Sequence, residues 1–530
     1  MGEFDYVVVG AGTAGCVLAY RLSADPAVRV LLVEAGGWDG SLFVRMPKGF
    51  SKLMDDRDAT WRYPAVTGPG REEVWPRGRL VGGSSSINGM IYARGGPADW
   101  DALAGRGNPG WGWDTMAAVF DRVEHRAAAG AGSAPPDGRL RLSTVVDADD
   151  LGEEMIAAGV AQGLRRVDDL DDGGDDERIG YTTATIAEGR RVSAADAFLH
   201  PVRDRPNLTV TVRATVQRVL VAGGRAVGVR VRQGGRSVDH AARAEVVLAA
   251  GAIASPQLLQ VSGIGPADVL RAVGVPVVAD RPRVGAGMRE HRMMTLQYRL
   301  AGEVGYNPLL NNVLGQSLAT LRWLVGRRGP LALPVHDIAG YLRSSPQADR
   351  PDAHLLMAPF SAAPRRPGRA LELERRAGLM CLGAVSRPRS EGSLQITGPT
   401  PQTPPRIRVD YLTDPYDRRV AVATFRRMRE LFATGPIARR IVAETVPGPA
   451  ARDEREIIDA ALAHGYCGYH AVGTCAMGPD DADVVDPRLR VRGVDGLRVV
   501  DASVFPTLVS GWINGPVAAL AWRAADLMLR

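Results

Sequence analysis

The chain has 530 residues, too many for one compact core, so two closely joined domains are expected. Its 45% hydrophobic and 23% charged content lies in the globular range, and nothing argues for disorder, collagen or a repeat array. The 65 basic and 59 acidic residues leave a net charge of +6, and Lys48 and Lys52 are the only lysines. The charges are interspersed, and no sustained basic run marks a nucleic-acid footprint. The densest short clusters include Arg365, Arg366 and Arg369, with Arg375 and Arg376 close behind; these read as solvated loops. Four cysteines (Cys16, Cys381, Cys467, Cys475) exclude a disulfide scaffold, and without a CxxC pair they argue against a metal centre. No apolar run reaches the roughly 18 residues of a membrane span. Met1-Gly-Glu-Phe-Asp5 leads directly into an apolar strand without a leader pattern, so a cytoplasmic location is expected.

In chain order, Phe4–Val9 reads as an apolar strand, residues 10–15 as a glycine turn, and residues 16–23 as a helix by their apolar spacing. Val28–Val33 is a second buried strand ending at Glu34. Residues 36–75 are rich in Gly, Pro, Asp and Trp and read as a long loop covering a ligand. Helical periodicity marks residues 145–165 and 417–434. Strands are expected at 208–212, 216–221, 226–231, 245–248 and 275–280. From 290 to 455, Arg- and Pro-rich loops alternate with apolar segments, which suggests a separate antiparallel sheet with helices. Residues 496–501 return to a buried strand, and 518–529 form a closing helix. The expected fold is α/β: a Rossmann-like dinucleotide domain carrying an inserted antiparallel-sheet domain. The expected division is 1–155, 201–290 and 461–530 for the first unit, and 156–200 and 291–460 for the second.

The turn Gly10-Ala-Gly12-Thr13-Ala14-Gly15 follows a strand and opens a helix. Gly10 permits the tight turn, Gly12 admits a pyrophosphate to the backbone, and Gly15 lets helix and strand approach. The helix N-terminus presents free N–H groups to phosphate. Glu34, 19 residues after Gly15, offers its carboxylate to both ribose hydroxyls and repels a 2′-phosphate. An adenine dinucleotide other than NADP is therefore expected.

Further motifs sharpen this. Gly78-Arg79-Leu-Val-Gly82-Gly83-Ser84-Ser85-Ser-Ile-Asn88, Ala250-Gly251 through Gly265, Val284 through His291, Tyr469-His470 through Gly478 and Val500-Asp501-Ala502 through Pro506 stand in one order along the chain. Together they resemble the glucose–methanol–choline (GMC) oxidoreductases, and within them the bacterial alcohol oxidases of hydroxymethylfurfural oxidase and choline dehydrogenase type. The resemblance implies FAD, held by Gly10, Gly12, Thr13, Ala14, Gly15, Glu34, Ala35, Arg79, Gly82, Gly83, Ser84, Ser85, Asn88, Gly89, Met90, Ile91, Val216, Ala250, Gly251, Asp501, Ala502, Asn514, Gly515 and Pro516. Asn88 is expected to aim its side chain at the flavin, and Val216 to hold adenine by its backbone. The backbone at Asp501-Ala502 is expected to reach the pyrophosphate or ribityl chain. Some relatives carry a flavin-linked histidine just before this Asn. Ile87 stands there in this chain, which implies non-covalent FAD.

His470 lies in a glycine-rich block that resembles the family's catalytic block, and it is the expected base that takes an alcohol's hydroxyl proton. The family's second His or Asn is replaced by Trp512, whose indole donates a hydrogen bond but cannot act as a base. Asn514 matches a later Asn that helps hold the flavin. His464 reads as structural and Glu290-His291 as a polar pair at a domain hinge; His125, His200, His240, His336 and His354 have no motif support. Met293, Met294, Met357, Phe360 and Trp512 are candidate apolar liners.

The expected function is FAD-dependent oxidation of a small-molecule alcohol, with oxygen or another electron acceptor. The Trp512 departure leaves open a flavoenzyme of non-redox outcome, such as a lyase or light-driven decarboxylase, or a biosynthetic tailoring oxidase. It also leaves open an electron-relay protein with a degenerate pocket. No nucleic acid, membrane span or structural metal is expected, and the oligomeric state, monomer or dimer, stays open.

Overall fold

The apolar run Val30–Val33 is buried along its whole length, and it pairs in parallel with Glu3–Val9 on one side and Leu208–Thr211 on the other. The computed structural model describes residues 3–126, 140–144, 150–171, 173–363 and 372–529. Arg365, Arg366 and Arg369 lie outside these residues, as does the 145–149 part of the first expected helix, which runs over Asp150–Ala161.

The first sheet has seven strands, in the order Leu208–Thr211, Val30–Val33, Glu3–Val9, Arg236–Leu248, Arg225–Gln233 and Ala214–Ala222. Leu497–Val499 pairs in parallel with the far end of Arg236–Leu248. Val7 stands opposite Leu31 on one side and Val246 on the other. The parallel strands end together at Val9, Val33 and Leu248, and a ligand crevice belongs at such carboxyl ends. Helices Thr13–Leu22 and Asn514–Met528 pack against each other beside this sheet.

The second sheet has eight strands. Its path runs Ile441–Val446, Arg292–Leu300, Gly378–Val385, Ala353–Ala358, Ile338–Leu342, Arg178–Tyr181 and Arg165–Arg166, with Tyr466–Cys467 paired to Arg292–Leu300. It is antiparallel except for its last pair. Helix Pro415–Phe432, capped by Asp414, packs on it.

Two expectations are corrected. Residues 36–75 are not a continuous loop: they hold helices Leu42–Arg45 and Phe50–Leu53 and the start of an antiparallel hairpin, Thr60–Gly68 with Arg71–Gly78. The alternation of buried Tyr63, Ala65 and Thr67 with exposed Pro64 and Val66 is the strand period that the glycines and prolines around it obscured. The strand expected at 275–280 is confined to Ala279–Asp280, because Pro276 has no N–H to give a ladder.

The glycine turn is sterically exacting. Gly10 has φ +101°, and a Cβ on Gly15 would sit 1.8 Å from the Gly10 carbonyl oxygen. Gly15→Ala is therefore expected to destabilise the protein by about 1–3 kcal/mol and to lower its unfolding midpoint. Gly40→Ala, where a Cβ meets nothing within 4 Å, is expected to change stability by no more than about 0.5 kcal/mol. Equal midpoints for the two variants would remove the packing role given to Gly15.

Candidate active site

Between the strand ends of the first sheet and one face of the second lies a cavity of about 400 Å³. Its dinucleotide end is built from Gly10, Gly12, Thr13, Ala14, Glu34, Ala35, Val216, Ala250 and Gly251. Gly12 caps helix Thr13–Leu22 without a side-chain hydrogen bond, which leaves the first helical N–H groups open to an anion. A Cβ on Gly83 would come 2.6 Å from the Gly12 Cα, so the second glycine loop lies directly on the first. Glu34 is buried; its two carboxylate oxygens accept from Ala11 N at 2.9 Å and Gly36 N at 2.8 Å. Each oxygen keeps a lone pair for a hydroxyl, and burial pushes the carboxyl's pKa up. This donor and acceptor set fits an adenine dinucleotide.

Other expected cofactor residues also line the cavity: Ser84, Asn88, Gly89, Met90, Ile91, Asp501, Ala502 and Asn514. Several of them are also tied into the protein by their side chains. Asn88 turns its carbonyl oxygen to Arg191 Nη1, at 2.7 Å, and to Met90 N, so only its amide N–H groups remain for a ligand. The Asp501 carboxylate is a structural knot that accepts from Gly251 N, Ser255 Oγ, Ser503 N and Ser503 Oγ, which leaves only its backbone for a cofactor. Thr13 Oγ1 donates to Asn514 Oδ1 at 2.8 Å, which joins the starts of the first and last helices.

Gly15, Arg79, Gly82, Ser85, Gly515 and Pro516 lie behind the wall rather than on it. Ser85 Oγ bonds Gly82 O and Ala194 N. The Arg79 guanidinium covers Trp61, 4.8 Å from the ring centre. A Cβ on Gly515 would meet the Ala93 carbonyl at 2.5 Å.

His470 sits in a buried hydrogen-bond network at the other end of the cavity. Its backbone N and that of His291 both donate to Glu290 Oε1, at 2.7 and 2.8 Å, and Arg77 lies 3.5 Å from the other carboxylate oxygen. His291 Nδ1 lies 2.9 Å from His470 Nδ1, and His291 Nε2 lies 2.9 Å from the Ser386 carbonyl. A carbonyl only accepts, so His291 carries its proton on Nε2 and its Nδ1 is an acceptor. His470 must then donate from Nδ1, which leaves Nε2 with a free lone pair. Burial, reinforced by His291, His354 and Arg77, holds the His470 pKa well below the usual histidine value. Burial also lowers His291 to about 4. Both imidazoles are neutral near pH 7, as the hydrogen-bond pattern requires. Tyr469, just before His470, adopts φ +63°, and Met90 across the cavity adopts φ +67°. For bulky side chains these are strained conformations, and such strain gathers at functional sites.

Trp512 lines the cavity and is almost fully buried. Its ring is edge-on to His354, centres 5.7 Å apart, and His354 is in turn edge-on to His291 at 4.8 Å. Among the apolar candidates, Met293 and Trp512 line the cavity, whereas Met294, Met357 and Phe360 do not. Successive residues on a strand face opposite sides, so Met293, Leu356 and Leu382 point to the cavity while Met294 and Met357 enter the other core.

Sequence reasoning missed four groups. Glu290-His291, read as a polar hinge pair, also supports His470. His354 packs behind it, with Nδ1 3.1 Å from Ser386 Oγ. Arg191 donates to Val44 O, Ser85 O and Asn88 Oδ1, and so ties residues 42–46 to the cofactor loop. His336 lines the cavity with neither ring nitrogen hydrogen-bonded, and burial with nearby Lys48 holds its pKa at about 3. His336, His354 and Arg191 lie in no motif, and Glu290-His291 ends the Val284–His291 motif without any sign of its contact with His470; these groups meet only through packing. His464 ends helix Glu454–His464. Cys467 and Cys475 are buried, and Cys467 Sγ donates to Glu290.

Comparison with known proteins agrees with this construction. Family models described as GMC oxidoreductase match residues 4–293 and 388–521. An alcohol dehydrogenase [acceptor] from Pseudomonas putida is 35% identical across 99% of this chain and 96% of its own. The mitochondrial choline dehydrogenase of Homo sapiens is 37% identical over 99% of this chain and 90% of its own. The crystal structure of pyridoxine 4-oxidase from Mesorbium loti superposes with a TM-score of 0.88 at 31% identity, covering 99% and 98% of the two chains. With the two family models spanning most of its length, this chain belongs to the GMC oxidoreductases.

Proposed function

We propose that this protein is an FAD-dependent alcohol oxidase or dehydrogenase in which His470 Nε2 takes the hydroxyl proton of the substrate. The observation that supports this reading is the chain of contacts from the Ser386 carbonyl through His291 to His470, which makes His470 Nδ1 a donor and leaves the lone pair of the two rings on Nε2 of a residue that lines the cavity. When bound, FAD supplies a two-electron acceptor for the hydride leaving the carbinol carbon. Gly12, Gly83 and the open helix N-terminus hold its pyrophosphate, and Glu34 its ribose. Ile87 lines the cavity where a linking histidine stands in some relatives; it has no nucleophilic atom, so the FAD is non-covalent.

As the hydroxyl proton moves to His470 Nε2, the imidazolium keeps its Nδ1–H bond to His291, so no ring turns during the transfer. Met293, Leu356, Leu382 and Trp512 keep water from the reacting carbon, which strengthens every electrostatic contact there. Trp512 acts as a wall and hydrogen-bond donor, and the basic function rests on His470 alone. The relatives named above carry dehydrogenase or oxidase names, which gives a lyase or decarboxylase reading no support. His336 offers a neutral donor and acceptor, suited to an alcohol with a second uncharged polar group.

On anaerobic mixing with an accepted alcohol, His470→Ala is expected to slow loss of the oxidised-flavin absorbance by roughly 10²–10⁴-fold. His291→Phe removes the acceptor that selects the tautomer and is expected to slow the same step by about tenfold or more with flavin content unchanged. Wild-type rates in either variant would remove the role given to that residue.

His336→Leu is expected to raise KM about tenfold for alcohols with a second polar group while leaving KM for simple alkanols near wild type. An equal change for both substrate types would rule out the polar contact.

The buried histidines also set a pH dependence. The unfolded chain binds their protons near pH 6.5, whereas the folded chain refuses them until about pH 4 for His291 and about 3 for His336. Their contribution to stability is therefore intact above pH 6.5 and falls as pH drops through that window. Denaturant midpoints measured from pH 7 to 4 should decline, and the decline should be shallower in His336→Leu. A slope unchanged by that substitution would contradict the assignment.

A further inference from the structure

Helix Val313–Gly326 is built inside out. Its buried face is Gly315, Ala319 and Trp323, whereas Leu314, Leu318, Leu321 and Val325, at spacings of four, three and four, stand in solvent. Val313 and Val325 are each 81% exposed and Leu314 is 71% exposed. A stripe of this length on a surface helix normally faces a core. Leu42 and Phe43 on helix Leu42–Arg45 are also exposed, and this segment adjoins the first: Met46, Trp323 and Ala332 form one small core cluster. Trp323 is held there by its indole N–H bond to the Gly189 carbonyl.

The charges of the two segments have one sign. Residues 40–54 and 304–336 contain no Asp or Glu, in a chain with 59 of them, and residues 40–54 contain both of its lysines. Lys48 turns its ammonium inward, to Pro334 O and Asp337. Arg45, Lys52, Arg322 and Arg328 remain exposed beside the apolar stripe. Glu188, next to the helix through Gly189, is paired with Arg141 at 3.3 Å.

We propose that this face docks on an anionic lipid surface, with helix Val313–Gly326 lying in the plane of the bilayer interface. An apolar stripe flanked by cations and free of carboxylates is the pattern that buries into the headgroup boundary and gains from anionic lipid. A second copy of the chain is a poorer occupant, because a two-fold contact would set the same cations against each other. Among the described residues no helix is long and apolar enough to cross a membrane, so attachment is peripheral. The docked segments also roof the cavity: Phe50 and Met54 follow the first, and Val335 and His336 follow the second. Docking therefore holds the lid of the active site against the lipid, where an apolar alcohol is concentrated.

The test is flotation of the FAD-loaded enzyme with vesicles of equal parts phosphatidylglycerol and phosphatidylcholine, against pure phosphatidylcholine. The anionic vesicles should carry about tenfold more protein or better at low salt, and the excess should shrink as salt is raised. The double variant L314E/L321E should lose about tenfold or more of this binding while keeping flavin content and turnover of a soluble alcohol. V442E, on an exposed valine of the other edge strand, should bind as the wild type does. Failure of the wild type to float with anionic vesicles would overturn the proposal, as would equal binding by L314E/L321E. A wild-type dimer that becomes monomeric in L314E/L321E would assign the face to a second copy instead.

Discussion

The hydrogen bond between His291 Nδ1 and His470 Nδ1 is the contact on which the active site depends. Two imidazoles can meet nitrogen to nitrogen only if one donates and the other accepts. The Ser386 carbonyl decides which does which, since it can only accept from His291 Nε2. Ser386 is itself held by its backbone N–H bond to the Asp352 carbonyl, in the second sheet. A backbone carbonyl on one sheet thus fixes the proton on one histidine, and through it the lone pair on another. Burial makes the arrangement durable: in a site this dry, a charged imidazole beside a second imidazole is costly, so both stay neutral near pH 7.

Glu290 gives this chain its geometry. One oxygen receives the backbone N–H groups of both His291 and His470, so the two histidines are held from a single point although 179 residues separate them. Arg77, at the end of the hairpin next to the cofactor loop, supplies the countercharge that a buried carboxylate needs. The strained Tyr469 backbone is the local cost of presenting His470 toward the cavity from such a constrained point.

The parts of the site legible in the sequence are those whose chemistry is local. A glycine turn between strand and helix, an acidic residue at the next strand end and a glycine-serine loop each do their work within a dozen residues, and the residues so identified lie on or directly behind the cavity wall. The groups that act through packing were not legible. His336 and His354 lie in no motif, His291 ends one that gives no sign of its partner, and the three reach the site only when the second sheet folds over the first. The phase of the apolar strands was hidden for a related reason. Gly378–Val385 and Ala353–Ala358 are buried on both faces, so no polar alternation shows that Leu356 and Leu382 face the cavity while Met357 does not. The hairpin in residues 60–78 was masked by the opposite effect, a true alternation set among glycines and prolines that read as loop.

The same geometry explains why an indole is tolerated at position 512. A residue across the pocket from the base would be needed to accept or orient a proton only if His470 were free to choose its tautomer or turn its ring. Here the choice is made behind His470, by His291, and the ring is held at Nδ1 and through its backbone. With the proposed base so held, the work left to the opposite wall is to exclude water and to confine the substrate. Trp512 is suited to both, packed edge-on against His354, which itself backs His291. Trp512 and His470 thus share one support of two histidines, so a change of bulk at Trp512 acts on His470 through His354 and His291.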